Sequence, residues 1–148
     1  MVTRSDVVKQ ARSYVGTTYK RQGRTRTRGL DCAGLIIVVA RDLETADYPE
    51  VPYTETPDPE FLYQRFLYGG AIPGRVSDLK PGDMVIMSPG VAPVHCGIIR
   101  EARGKPTLIH AHQPRRTGAE DSLDATPLGL RSWRATVNRV LLFPDLED

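Results

Sequence analysis

The chain has only two cysteines, Cys32 and Cys96, too few for the disulfide framework of a small secreted fold. It lacks any run of about 18 apolar residues, so nothing in it reads as a membrane span. Its opening, MVTRSDVVKQARSYVG, places charges where a signal peptide needs an apolar stretch, which predicts no export signal. A dominant charge sign is missing too. The 20 Lys and Arg against 18 Asp and Glu leave +2, which excludes an extreme polybasic or polyacidic protein. The densest basic stretch, KRQGRTRTRG from Lys20 to Gly29, has no interleaved aromatics and fits no nucleic-acid motif, so no nucleic-acid partner is expected. It reads either as a solvated loop or as a positive rim over an anionic substrate.

What is present suits one folded domain. Apolar types make up 40% of the chain, enough for a core. No repeat or internal linker divides it, and at about 150 residues per domain a single domain over 1–148 is expected. Thr3 and Asp6 form a capping-box pattern ahead of an apolar face from Val7, Val8, Ala11, Tyr14 and Val15, a helix that Gly16 should end. LDCAGLIIVVARDL predicts a buried helix, with Asp31 as its N-cap or a first-turn acid, although IIVV by itself favours a strand. The Pro-rich acidic residues 47–58 predict a loop, and Asp58-Pro59 opens a helix, FLYQRFLY, that should stop at Gly69-Gly70. From Leu79 the pattern changes to short strands: LKPGDMVIM after a turn, then VHCGIIR, PTLIHAH and TVNRVLLFP. Helices first and strands second predict an α+β fold, N-terminal helices packed on a small antiparallel sheet.

The chemistry-bearing residues fall at the joints of this scheme. Cys32 stands at the start of the buried helix, where free peptide N–H groups and the helix dipole stabilise a thiolate. The alternative is a structural buried thiol. His95 opens one strand and His110 lies inside the next. Paired strands would let one imidazole face the thiol and the other orient the first. All three histidines, with His112, also fit a satisfied core. A zinc site is the rival, drawn from Cys32, His95, Cys96, His110 and His112. Strand neighbours face opposite ways, so His95 and Cys96 should not share one site, whereas His110 and His112 share a face.

Five segments together give a resemblance. ARSYVGTTY, LDCAGLI, LKPGDMVIM, HCGII and LIHA, in this order and spacing across nearly the whole chain, resemble the NlpC-type papain-like cysteine peptidases of cell-wall metabolism. The resemblance implies a papain-like fold with no cofactor and no bound metal. It makes Cys32 the nucleophile, His95 the general base and His110 the orienting residue. Tyr19 matches the family tyrosine near the active cysteine and Asp31 lies beside it; both belong to the substrate or oxyanion region. Gly34 and Gly97 then permit close packing behind the nucleophile and along the histidine strand.

The activity implied is thiol-dependent cleavage of peptidoglycan stem peptides at the bond between D-glutamate and the diamino acid, or amidase chemistry by the same thiol. LIHAHQPRRTG and LRSWRATVNRVLLFP resemble the small peptidases encoded among phage tail and gene-transfer-agent genes. That branch implies tail proteins as partners. It also implies synthesis in the cytoplasm and delivery to the periplasm or cell wall by a particle, the alternative being a cytoplasmic protein. A tail-assembly component with little turnover and a zinc-binding module are the readings from other classes. The chain departs from the family pattern at Ala33, where Ser is commoner, and at Cys96, where an apolar residue is usual.

Overall fold

The computed structural model describes residues 1–46, 48, 58–88, 94–126 and 131–147. The first helix, α1 (Arg4–Arg12), carries the capping box in full. Thr3 accepts from the Asp6 N–H and Asp6 accepts from the Thr3 N–H. It ends four residues before Gly16, whose φ of +93° turns the chain after the helix has closed. The predicted face is therefore shorter than its apolar pattern: Val7, Ala11 and Tyr14 are buried, but Val15 is exposed.

The basic loop folds into a small hairpin of β1 (Arg24–Thr25) and β2 (Gly29–Leu30). Helix α2 (Cys32–Asp42) follows at once, with every residue from Ala33 to Ala40 buried. Burial on all sides, not propensity, decides this segment. Ile36, Ile37, Val38 and Val39 each gain about 1.5–3 kcal/mol from leaving water, well above a β-preference of up to about 1 kcal/mol. Helix α3 (Pro59–Tyr68) begins at an Asp58 N-cap with proline in its first turn and ends at Gly69, as expected. Apart from Tyr48 and Asp58, the predicted acidic loop lies outside the described residues.

The remaining strands are β3 (Ile72–Pro73), β4 (Met84–Met87), β5 (His95–Ala102), β6 (Lys105–His112), β7 (Thr117–Ser122) and β8 (Val137–Leu142), with a short helix α4 (Trp133–Thr136) before the last. They form one antiparallel sheet in the order β3-β8-β4-β5-β6-β7. Its face toward α1, α2 and α3 presents Met84, Ile86, Cys96, Ile98, Ile109 and Leu141 to the main core. The opposite face carries a smaller cluster of Val85, Met87, Ile99, Leu108, Leu123, Trp133 and Val140. This is the expected α+β arrangement. Strands β1, β2, β3 and β7 and helix α4 come in addition.

Candidate active site

The nucleophile candidate is placed by the cap behind it. Asp31 is 3% exposed and holds the N-terminus of α2. Its Oδ1 accepts from the Gly34 N–H at 2.7 Å and from Arg24 Nη1 at 3.1 Å, and its Oδ2 accepts from the Gln22 N–H at 2.6 Å. One carboxylate thus ties the basic loop to the first turn of the helix. Gly34 completes the joint, because a Cβ there would stand 2.3 Å from the Gly23 carbonyl oxygen. Cys32 is the first residue of α2, in the turn where peptide N–H groups lack intrahelical partners.

The two imidazoles come from neighbouring strands. Continuing the register Ile98↔Ile109 puts Gly97 opposite His110, so His95 reaches His110 along the diagonal of one sheet face. The His95 Nε2 lies 2.6 Å from the His110 Nδ1. A second diagonal step reaches β7. Asp121 stands opposite Leu108, and its Oδ2 lies 2.6 Å from the His110 Nε2. Arg115 donates to the same carboxylate oxygen and, through its Nε, to the His112 Nδ1 at 3.1 Å. Trp133 covers the pair, its ring 5.2 Å from that of His95 and 5.1 Å from that of His110.

Cys96 and His95 are the two side chains that act most strongly on the Cys32 thiol. Cys96 turns into the core as strand alternation predicts, and its thiol still acts on Cys32. Among the described residues the start of β5 pairs with β4 alone, as Met87↔His95 and Ile86↔Cys96, and its ladder with β6 begins at Ile98. The N-terminal turn of α2 carries Cys32 where α2 packs against β5, and His95 and Cys96 both act on its sulfur.

No protein-family profile matches the sequence, and no curated protein does. Solved structures are similar over nearly its full length. The NlpC/p60 domain of the peptidoglycan hydrolase SagA superposes with a TM-score of 0.64 at 22% identity, over 95% of this chain and 98% of that one. An NlpC/P60 family protein from Bacillus cereus ATCC 10987 gives 0.66 at 16% identity, over 95% of this chain and 40% of that one. The chain has the NlpC/p60 fold. An N-acetylmuramoyl-L-alanine amidase from Bacteroides uniformis ATCC 8492 is also similar, with a TM-score of 0.56 at 15% identity over 94% and 98% of the two chains.

On this NlpC/p60 scaffold the electrostatics around Cys32 favour the thiolate. The hydrogen bond with Cys96 and then those with His95 lower the Cys32 thiol to about 5, against the opposing effect of burial. The same hydrogen bond, with burial, pushes Cys96 up. Burial lowers His95, and its hydrogen bond to Cys32 resists that shift. Burial likewise lowers His110 against the pull of Asp121. Asp121 is held far below the usual carboxylate range. Its own desolvation opposes this, and the hydrogen bonds from His110 and Arg115 outweigh it.

Tyr19 is fixed beside the helix start by backbone alone. Its N–H donates to the Arg116 carbonyl at 2.9 Å, and it bridges Leu30, two residues before Cys32. Burial, then the nearby Cys32 and Asp31 charges, push its phenol up, so it stays protonated at neutral pH and keeps a hydrogen to donate. His112 shares the face of His110 as expected, with ring centroids 5.0 Å apart. Both ring nitrogens of His110 are engaged, by His95 and by Asp121. Among the described residues no group of three or more His, Cys, Asp or Glu side chains is arranged to hold a metal ion.

The sequence reading missed Asp121, Arg115 and Trp133. TGAEDS has neither apolar alternation nor β-branched content beyond its first residue, so β7 carries no strand signal of its own. The one available hint is the turn chemistry of QPRRTG between His112 and Ala119, which marks a hairpin and so a strand returning beside His110.

Proposed function

We propose that the protein is a cysteine hydrolase acting on peptidoglycan stem peptides. One observation carries this reading. A cysteine in the first turn of a buried helix feels an imidazole that continues, through a second imidazole, to a carboxylate. Helix dipole, hydrogen bonds and an adjacent base are the features that make a thiol nucleophilic at neutral pH. The Cys32 thiolate attacks an amide carbonyl, and the N–H groups at the start of α2, that of Cys32 among them, face the developing oxyanion. Tyr19 borders the same space, while Asp31 serves it by fixing the helix start. The His95 imidazolium gives its proton to the leaving amine, and water activated by His95 then cleaves the thioester.

The substrate class is supported by the likeness in fold to the NlpC/p60 domain of a peptidoglycan hydrolase. The resemblance of the motifs favours the bond between D-glutamate and the diamino acid. The amidase from Bacteroides uniformis makes the N-acetylmuramoyl-L-alanine bond the second reading. Association with a phage-type or gene-transfer-agent tail, as enzyme or as assembly component, rests on the resemblance of the LIHAHQPRRTG and LRSWRATVNRVLLFP segments. Digestion of purified sacculi by wild type and by Cys32→Ser, with the muropeptides read by mass spectrometry, tests the reading. Release of stem-peptide fragments by wild type alone is expected. An inert wild type would overturn the proposal, and free lactyl groups on muramic acid would move it to the amidase.

A further inference from the structure

We infer that Asp121, clamped by Arg115, is a positioning residue that sets the tautomer of both site imidazoles and leaves the thiol-facing nitrogen of His95 free to accept a proton. This rests on the reading of Cys32 and His95 as nucleophile and base and extends it by two residues.

An ionised carboxylate only accepts hydrogen bonds. Asp121 is kept ionised by the Arg115 guanidinium on the oxygen that faces His110. The His110 Nε2, 2.6 Å away, must therefore carry the hydrogen. A neutral imidazole has one N–H and one lone pair, so the His110 Nδ1 accepts. The group facing it at 2.6 Å is the His95 Nε2, which must then be the donor. The remaining nitrogen of His95, its Nδ1, is left with a lone pair for the Cys32 thiol.

The opposite chain of tautomers is the one Asp121 excludes. If His110 donated from Nδ1, His95 would accept at Nε2 and carry its hydrogen on Nδ1, where it could take nothing from sulfur. A histidine can orient a base in either sense, which a carboxylate cannot. The third position of this site thus needs a fourth group to choose. His110 is 0% exposed, so water does not supply that choice.

The proton count is simple. The Sγ–H bond of Cys32 breaks and its proton goes to the His95 Nδ1, forming an imidazolium. The Nε2–H of His95 stays with His95, and no proton leaves His110 or reaches Asp121. The charges bearing on this step are few. Cys96 and Asp31 face Cys32, together with the neutral phenol of Tyr19. His110 and His112 face His95. His112, Arg115 and Asp121 face His110. Arg115 offsets the carboxylate as seen from His110, which keeps that ring neutral and able to accept from His95.

The test uses the whole protein without any peptidoglycan. Nitrogen-15 spectra of histidine-labelled Cys32→Ala protein at neutral pH, in which no thiol proton can reach His95, should show both His95 and His110 protonated on Nε2 and bare on Nδ1. Iodoacetamide alkylation of Cys32, followed across acid to neutral pH, should slow by about tenfold below the midpoint in Asp121→Ala, with the midpoint moved upward by about one pH unit. Asp121→Asn keeps an acceptor oxygen and the side-chain shape, and should fall between the two. Cys32→Ala spectra with neutral His95 protonated on Nδ1 and bare on Nε2 would overturn the inference even if the Asp121→Ala variant failed to fold. So would an Asp121→Asn or Asp121→Ala protein with the wild-type alkylation profile. An inert sacculus digest bears on the substrate assignment alone.

Discussion

Gly97 lies so close to His110 that a Cβ built on it would stand 3.2 Å from the His110 Cβ. The same Cβ would meet the Ile109 carbonyl oxygen at 2.7 Å and the Leu108 Cδ1 at 2.6 Å. The leucine tip can turn away, but the carbonyl is part of the β5–β6 pair and cannot. Gly97→Ala should therefore cost about 1–3 kcal/mol in denaturant unfolding. It should also spread β5 from β6 and lengthen the contact between His95 and His110. Hydrolysis per folded molecule should fall with the stability, whereas a spacer role confined to folding would leave it intact.

The two thiols should separate chemically. Cys32 is lowered to about 5 and Cys96 is raised, so between pH 6 and 8 the folded protein holds one thiolate and one thiol. Iodoacetamide should label Cys32 first, with a rate that rises through about pH 5 instead of near the free-thiol range. Peptide mapping after brief labelling reads the order, and faster labelling of Cys96 would contradict the assignment of Cys32 as nucleophile.

Asp31 is expected to matter through the helix it caps. Asp31→Ala removes acceptors from the Gly34 and Gln22 N–H groups and the carboxylate that Arg24 meets at 3.1 Å. A lost N-cap costs about 1–2 kcal/mol, and the largely buried arginine adds to it. Asp31→Asn still caps and should lose less. Thermal unfolding orders the three proteins, and equal midpoints for Asn and Ala would show that the cap hydrogen bond contributes nothing.

Asp83 offers the contrasting case, a buried charge remote in role from the site. Its Oδ1 receives Arg4 Nη1 at 2.7 Å and its Oδ2 receives the Lys80 N–H at 2.8 Å, joining α1 to the turn before β4. Asp83→Ala leaves the Arg4 guanidinium largely buried and should destabilise by about 3 kcal/mol. Alkylation of Cys32 in the molecules that remain folded should match wild type. A slowed reaction would tie this ion pair to the site.

Local rules account for much of the molecule. The capping box of Thr3 and Asp6, the Asp31 cap, the Asp58-Pro59 helix start and the Gly69 stop each depend on residues within a few positions of one another. Cys32 at a helix start and His95 and His110 in adjacent strands were legible for the same reason, since caps and period-2 runs mark where elements begin. Residues within one element are fixed relative to each other by its geometry. Which elements meet, and in what register, depends on contacts far apart in sequence. Tertiary pairing alone carried TGAEDS into the sheet as β7 and set Asp121 one diagonal step from His110. It also packed α2, which begins at Cys32, against β5, so that Cys96 and His95 act on one thiol, and folded Trp133 over both imidazoles.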